Sequence, residues 1–248
     1  MAFALARGGR AAASGRAGAL SPPIVAIDGP SGAGKSTVAR ALARRLGVPY
    51  IDTGAMYRAV GLAAREHGIA LPVMDPEAVA AIAGRASIDL DVSGDATRIL
   101  LDGRDVSEAI RLPEMSLYAS AVSAIPAVRR RLVEKQRHLA GERGGVLEGR
   151  DIGTRVFPDT PHKFFLTAPI DVRAERRARE LALRGTPQPV EAVRQEIELR
   201  DHADSTRADS PLTLDPTYKV VDTGRRGIEE IVSELEERIK GKRGQDLS

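Results

Sequence analysis

The chain has 248 residues, 42% of them hydrophobic and 3% aromatic, with no Cys, no Trp and a formal net charge of +3. That length and apolar share suit one α/β domain with an insertion, while the absence of Cys excludes a disulfide framework or a thiolate metal site. Arg7, Arg10 and Arg16, with no acid among the first 20 residues, carry the whole charge excess; the balanced remainder and the scarcity of aromatics argue against a nucleic-acid partner, and no apolar run reaches the roughly 18–20 residues that span a bilayer.

Residues 1–21 are rich in Ala, Gly, Arg and Ser without helical patterning, and are expected to be a disordered extension. The run Ile24 to Ile27 has the continuous apolar character of a buried central strand. It leads into Gly29-Pro30-Ser31-Gly32-Ala33-Gly34-Lys35-Ser36-Thr37, which fills the pattern G-x-x-x-x-G-K-[ST]. Glycines let the backbone wrap an anion so that successive N–H groups face phosphate oxygens. Lys35 adds a point charge, and the Ser36 hydroxyl is a hard ligand suited to Mg²⁺. A helix from Val38 to Leu46 would aim its N-terminal dipole at the same anion. Strand, glycine-rich loop and helix in this order form a nucleotide-binding P-loop.

Val48 to Asp52 reads as a second strand and Gly54 to His67 as a helix. Between them, Thr53 offers a hydroxyl and Arg58 lies one turn on; a helix cap and a solvated arginine explain this segment equally well. Pro76 to Ala86 reads as a helix. Ile88 to Val92 and Arg98 to Leu101 form a hairpin about a turn at Ser93-Gly94-Asp95. Two helices, Pro113 to Ala124 and Pro126 to Ala140, are opened by proline.

Gly145 to Glu148 is a strand that runs into Gly149-Arg150-Asp151-Ile152-Gly153-Thr154, placed where open α/β sheets bind ligands. Lys163 to Thr167 is a further strand, and Asp171 is expected to cap the arginine-rich helix after it. The break at Thr186-Pro187-Gln188-Pro189 precedes a helix from Val190 to about Arg207, on which Arg200, Asp204 and Arg207 share a face. A solvated salt-bridge face accounts for Arg200 and Asp204 nearly as well, and the same holds for Arg173, Arg176 and Arg177. Their placement about a breaker-rich loop nevertheless suits a mobile lid. Tyr218 to Val221 is the last strand and Gly227 to Lys240 the last helix. Strands alternating with helices predict an α/β fold with a mainly parallel five-stranded sheet and helices on both faces.

No D-x-x-G or N-K-x-D element supports a GTPase switch, so phosphoryl transfer to a small acceptor is the expected chemistry. Two anionic substrates repel, and fixed cations with Mg²⁺ are needed to hold them in line.

The segments I-D-G-P-S-G-A-G-K-S-T, D-T-G-A-M-Y-R, L-D-G-R-D-V, E-G-R-D-I-G-T, V-F-P-D and R-A-D-S-P-L, in this order, resemble the bacterial cytidylate kinases, which are P-loop nucleoside monophosphate kinases. The resemblance covers about Ile24 to Lys240. It implies a P-loop kinase CORE at 22–69 and 112–240, an inserted CMP-binding subdomain at 70–111, a short lid at 172–190, and a C-terminal tail at 241–248. It implies phosphorylation of CMP and dCMP by ATP with Mg²⁺, in a monomeric, cytoplasmic enzyme without nucleic-acid or membrane partners.

By the same resemblance Asp151, Arg129 and Ser120 surround the cytosine, where a carboxylate can accept from the N4 amino group. Thr53, Arg58, Arg150 and Arg207 correspond to groups on the acceptor phosphate, Arg200 and Asp204 to groups near sugar and phosphates, and Tyr57 to a residue packed by the nucleoside. Residues 29–37 and Arg176 would bind ATP; Lys35, Arg176, Arg200 and Arg207 would stabilise the migrating charge. Glu148 stands where Asp is also common and Arg155 where Val is frequent. The P-loop by itself also fits a shikimate- or gluconate-type kinase, and a non-catalytic nucleotide-binding module is a further alternative.

Overall fold

A computed structural model describes residues 22–91, 97–141 and 143–245. The extension expected over 1–21, the turn Ser93-Gly94-Asp95 and the last three residues of the tail lie outside the described residues. Strand β1 (Ile24–Asp28) is at the centre of a five-stranded sheet. It pairs with β6 (Gly145–Gly149) on one side and β7 (His162–Thr167) on the other; β2 (Tyr50–Asp52) and β8 (Lys219–Asp222) form the edges, giving the order β2-β6-β1-β7-β8. Every neighbouring pair is parallel.

Side chains alternate across this sheet, as the two-residue strand period requires. Val25, Ile27, Tyr50, Val146, Phe164 and Leu166 point to a core shared with α1 (Lys35–Leu46) and α8 (Ile228–Gln245). Ala26, Ile51 and Leu147 point the other way, towards α2 (Thr53–Glu66), α4 (Glu114–Ser123) and α5 (Pro126–Ala140). Burial on both faces explains why β1 reads as an uninterrupted apolar run. Helices α2 and α4 are in tight contact at Gly61, where an added Cβ would fall 2.6 Å from Tyr118 Cβ.

The segment at 70–111 contains α3 (Pro76–Arg85) and an antiparallel sheet of β3 (Ile88–Asp91), β4 (Arg98–Leu101) and β5 (Arg104–Asp105). Its apolar residues Val79, Ile82, Ile88, Ile99 and Leu101 belong to the same buried cluster as Met56, Val60 and Leu132. The described part of this segment is therefore seated on the main core.

Helices α6 (Ile170–Leu183) and α7 (Val190–Thr206) form a hairpin with its own seam of Ala174, Ala178, Leu181, Val193 and Ile197. The break at Thr186–Pro189 is the tip of this hairpin. Asp171 does not cap α6: the cap position is Pro169, without a side-chain bond, and Asp171 pairs instead with Arg194 at 3.0 Å. Helix α8 continues past Lys240 to Gln245. Among the described residues, no helix is long and apolar enough to cross a membrane.

Candidate active site

All the sheet's carboxyl ends meet at one edge, and the site assembles there. The loop leaving β1 is pressed against β7: a Cβ on Gly29, whose φ is +145°, would lie 2.0 Å from the Leu166 carbonyl oxygen. Gly34 (φ 82°) caps α1 without a side-chain bond, leaving the first N–H groups of the helix to the loop. Lys35 is only 7% exposed, and its Nζ donates to the Pro30 carbonyl at 2.7 Å. Burial first, then Arg150 and Arg200, push its ammonium down to about 7, against the opposing pull of Glu148 and Asp28.

Ser36 Oγ donates to Glu148 Oε2 at 3.0 Å, and the Tyr50 hydroxyl donates to the other carboxylate oxygen. Burial, followed by Asp52, holds the Glu148 carboxyl above its ordinary value. This hydroxyl–carboxylate pair offers hard oxygens next to the loop. Among the described residues there is no cluster of three or more His, Cys, Asp or Glu that could hold a metal. The donor set thus fits Mg²⁺ carried in on phosphate oxygens, which keeps few protein ligands, and does not fit a dedicated protein cage.

Beyond Lys35 lies a cluster of arginines. Arg129 pairs with Asp151, donates to the Ser123 carbonyl at 3.0 Å, and sits 5.5 Å over the Tyr57 ring. Arg150 Nε donates to Asp204 Oδ2 at 2.7 Å. Arg207 lies 3.5 Å from Asp204 and 4.0 Å from Asp151, and donates to the Ser210 carbonyl at 2.6 Å. Arg200 buries its Nε without a hydrogen-bond partner, and desolvation, then Arg150, lower its guanidinium to about 10. Arg58 Nη2 bonds Asp52 at 3.0 Å while its Nε has no partner. Five arginines converge here, and the unpartnered Nε atoms of Arg58 and Arg200 leave donors suited to a multiply charged anion.

The structure thus brings together Tyr57, Arg58, Arg129, Arg150, Asp151, Arg200, Asp204 and Arg207. Thr53 is not the cap of α2; Asp52 is, accepting from the Ala55 amide at 2.8 Å, and the Thr53 hydroxyl donates to the Glu148 carbonyl at 2.7 Å. Ser120 joins the cluster only indirectly, its carbonyl accepting from the Ser123 hydroxyl at 2.9 Å. Arg176 stands apart, beside the P-loop: its guanidinium bonds Thr223 Oγ1 at 3.0 Å and the Thr223 carbonyl at 2.6 Å.

Three site residues escape sequence reasoning. Ser123 touches both Arg129 and Arg207, yet nothing separates it from other small helix residues. Asp201 accepts from the Ser31 amide at 3.1 Å and pairs with Arg173, which donates to the Ser31 carbonyl at 2.9 Å. Asp28 carries the one usable signal, a carboxylate closing an otherwise apolar central strand.

A family model described as cytidylate kinase matches residues 25–241. The cytidylate kinase of Caldanaerobacter subterraneus subsp. tengcongensis is 49% identical over 216 residues, which cover 87% of this chain and 94% of that protein. That of Mycobacterium leprae is 47% identical over 222 residues, or 89% and 97%. A bifunctional pantoate ligase/cytidylate kinase of Synechococcus sp. is 44% identical over 230 residues, 90% of this chain and 42% of the longer protein.

Proposed function

The chain belongs to the cytidylate kinase family, and from that membership we infer that it transfers the γ-phosphoryl group of ATP to CMP or dCMP, yielding ADP and CDP or dCDP. The observation that supports a direct transfer is the mutual position of two anion sites. Arg150 and Arg200, from the acceptor cluster, lie close enough to Lys35 of the P-loop to depress its ammonium. Donor and acceptor phosphates held by these groups would face one another without an intervening enzyme nucleophile.

On this reading residues 29–37 and Arg176 hold ATP. Arg58, Arg150 and Arg207, with the Thr53 hydroxyl, hold the acceptor phosphate. Asp151, oriented by Arg129, accepts from the cytosine amino group, with Ser120 and Tyr57 lining the base; Asp204 and Arg200 serve sugar and phosphates. An acceptor phosphate oxygen is already largely ionised at neutral pH, so the protein need supply no strong base. Lys35, Arg176, Arg200 and Arg207 stabilise charge as it passes between oxygens. Ser36, steadied by Glu148, is the residue suited to Mg²⁺, which would neutralise charge on the donor phosphates.

The insertion at 70–111 and the lid at 172–190, around the tip of the α6–α7 hairpin, are the elements proposed to close over acceptor and donor. We take the enzyme to act as a monomer in the cytoplasm. Kinases of the shikimate or gluconate type give way as alternatives, because the match extends far beyond the P-loop. A coupled assay of ADP release across CMP, dCMP, UMP, AMP and shikimate tests the proposal. CMP and dCMP are expected to stimulate release most; no stimulation by either would refute it.

A further inference from the structure

Asp28 is fully buried, and its two halves serve different parts of the site. Its main chain opens the P-loop, since Gly29 follows directly. Its side chain reaches β6's outgoing turn: Oδ1 accepts from the Ile152 amide at 3.0 Å, and Oδ2 from the Gly153 amide at 2.9 Å. The Tyr218 hydroxyl donates to Oδ2 at 2.6 Å.

Ile152 and Gly153 begin a single π-helical turn, Ile152–Val156, whose first N–H groups need an outside acceptor. The residue placed to cap it is Asp151, but Asp151 makes no side-chain cap bond. Its carboxylate is engaged with Arg129 on the acceptor side. Asp28, from another strand, takes its place as the cap.

We propose that Asp28 is a positioning residue for acceptor recognition: by capping the Ile152–Val156 turn it leaves the Asp151 carboxylate free for the acceptor pocket and references that turn to the root of the P-loop. The base-recognition part rests on the cytidylate kinase reading above. Burial raises the Asp28 carboxyl to about 6 despite these hydrogen bonds, so its charge is not what stabilises the fold at neutral pH. A charged carboxylate held there at neutral pH works against the fold.

Asp28→Asn keeps the shape but turns a donor towards one of the two amides. In steady-state assays its KM for CMP should rise about tenfold or more, and its CMP-over-UMP preference should fall, while ATP binding measured without acceptor stays within about twofold. Tyr218→Phe removes a hydroxyl that donates to Asp28 Oδ2 and also lies against Gly153, but it leaves both amide bonds to the Asp28 carboxylate, and should leave the CMP KM within about twofold. An unmoved CMP KM in Asp28→Asn, a parallel loss for ATP, or the same loss in Tyr218→Phe would each overturn the proposal. If Asp28→Asn does not fold, Gly153→Ala crowds the turn with the carboxylate intact, since its methyl would lie 2.7 Å from the Tyr218 hydroxyl and 3.1 Å from Lys163 Cδ. It should show the same CMP-selective loss, and an equal loss for ATP overturns the idea. A wild-type protein inactive on CMP would instead refute the functional reading. Hydrogen exchange of the amides at 152 and 153, followed without nucleotide, then decides the capping role by itself: protection should fall in Asp28→Asn and persist in Tyr218→Phe, and unchanged protection in Asp28→Asn overturns it.

Discussion

Arg150 Nε lies 2.7 Å from Asp204 Oδ2, with the two side chains only 16% and 7% exposed. The pair links the end of β6 to α7, so a cation proposed for the acceptor phosphate is already partnered before substrate arrives. Anion binding then becomes an exchange of partners. That avoids the large penalty of an empty, desolvated guanidinium cluster.

Removing the carboxylate should expose that penalty. Asp204→Asn leaves Arg150, Arg200 and Arg207 mutually repelling, and should destabilise the fold by about 3 kcal/mol. Inorganic phosphate should recover part of the loss by binding the cluster. Burial alone would raise the Asp204 carboxyl, but Arg150 and Arg200 outweigh it and hold it below 3.8. Its contribution is therefore present above that pH and lost on acidification below it. Urea unfolding with and without phosphate checks both effects; equal midpoints for wild type and variant at neutral pH would contradict the pairing argument.

Lys35→Ala should separate catalysis from folding. Turnover should fall by about two to three orders of magnitude, the usual effect of deleting one preorganised charge donor. Stability at neutral pH should not fall, because the variant discards a buried ammonium that burial, Arg150 and Arg200 all disfavour. Assays with CMP and thermal melts of the same preparation test the two halves. Near-normal turnover would remove Lys35 from its proposed role.

What the sequence disclosed follows from the range of the interactions. The P-loop is local, so Gly29, Gly34, Lys35 and Ser36 identify it, and β1 is legible because both its faces are buried. The hairpin strands at 88–91 and 98–101 likewise follow from alternation and pair antiparallel. The networks inside the site are not local. Asp28 and Ile152 are 124 residues apart, Arg150 and Asp204 are 54 apart, and Ser31 and Asp201 are 170 apart. Those pairings depend on strand order, which residue spacing does not encode. On α7 the step from Arg200 to Asp204 matches a solvated salt bridge, so helical spacing could not separate a buried ligand cluster from a surface face. Asp171 misled for a related reason: a proline two residues earlier already begins the helix.

Asp201 should act as a latch between hairpin and P-loop. Its carboxylate takes the Ser31 amide and Arg173 together, while Arg173 also holds the Ser31 carbonyl. An Asp201→Ala variant loses the acceptor and should cost about 1–3 kcal/mol of local stability. Faster hydrogen exchange should appear along α6 and α7, with little change in the sheet. The KM for ATP should rise as the loop loses its fixed position. Unaltered exchange in the hairpin would show that its seam of Ala174, Leu181 and Val193 suffices to hold it.

Asp28 makes a prediction about pH whose sign is set by its environment. Desolvation raises its carboxyl from 3.8 to about 6, against the hydrogen bonds from Tyr218, Gly153 and Ile152, with Asp151 adding repulsion. Between those two values the folded protein holds a proton that the unfolded chain has released. Stability from this group is therefore full below about 3.8 and is lost as pH rises through about 6. The total loss is about 3 kcal/mol, because each tenfold difference in proton affinity between folded and unfolded chain is worth roughly 1.4 kcal/mol. Asp28→Asn cannot titrate, so the stability of wild type relative to the variant should decline across that window and level off above it. Glu148 is present in both proteins and largely cancels in the difference; Lys35 feels the Asp28 charge and adds to it only near and above about 7, and Asp204 acts below the window. Urea midpoints of the two proteins from about pH 4 to about pH 8 read the effect directly. A difference that moves in favour of the wild type as pH rises would mean that the three hydrogen bonds outweigh burial, and that Asp28 stabilises the fold as an anion.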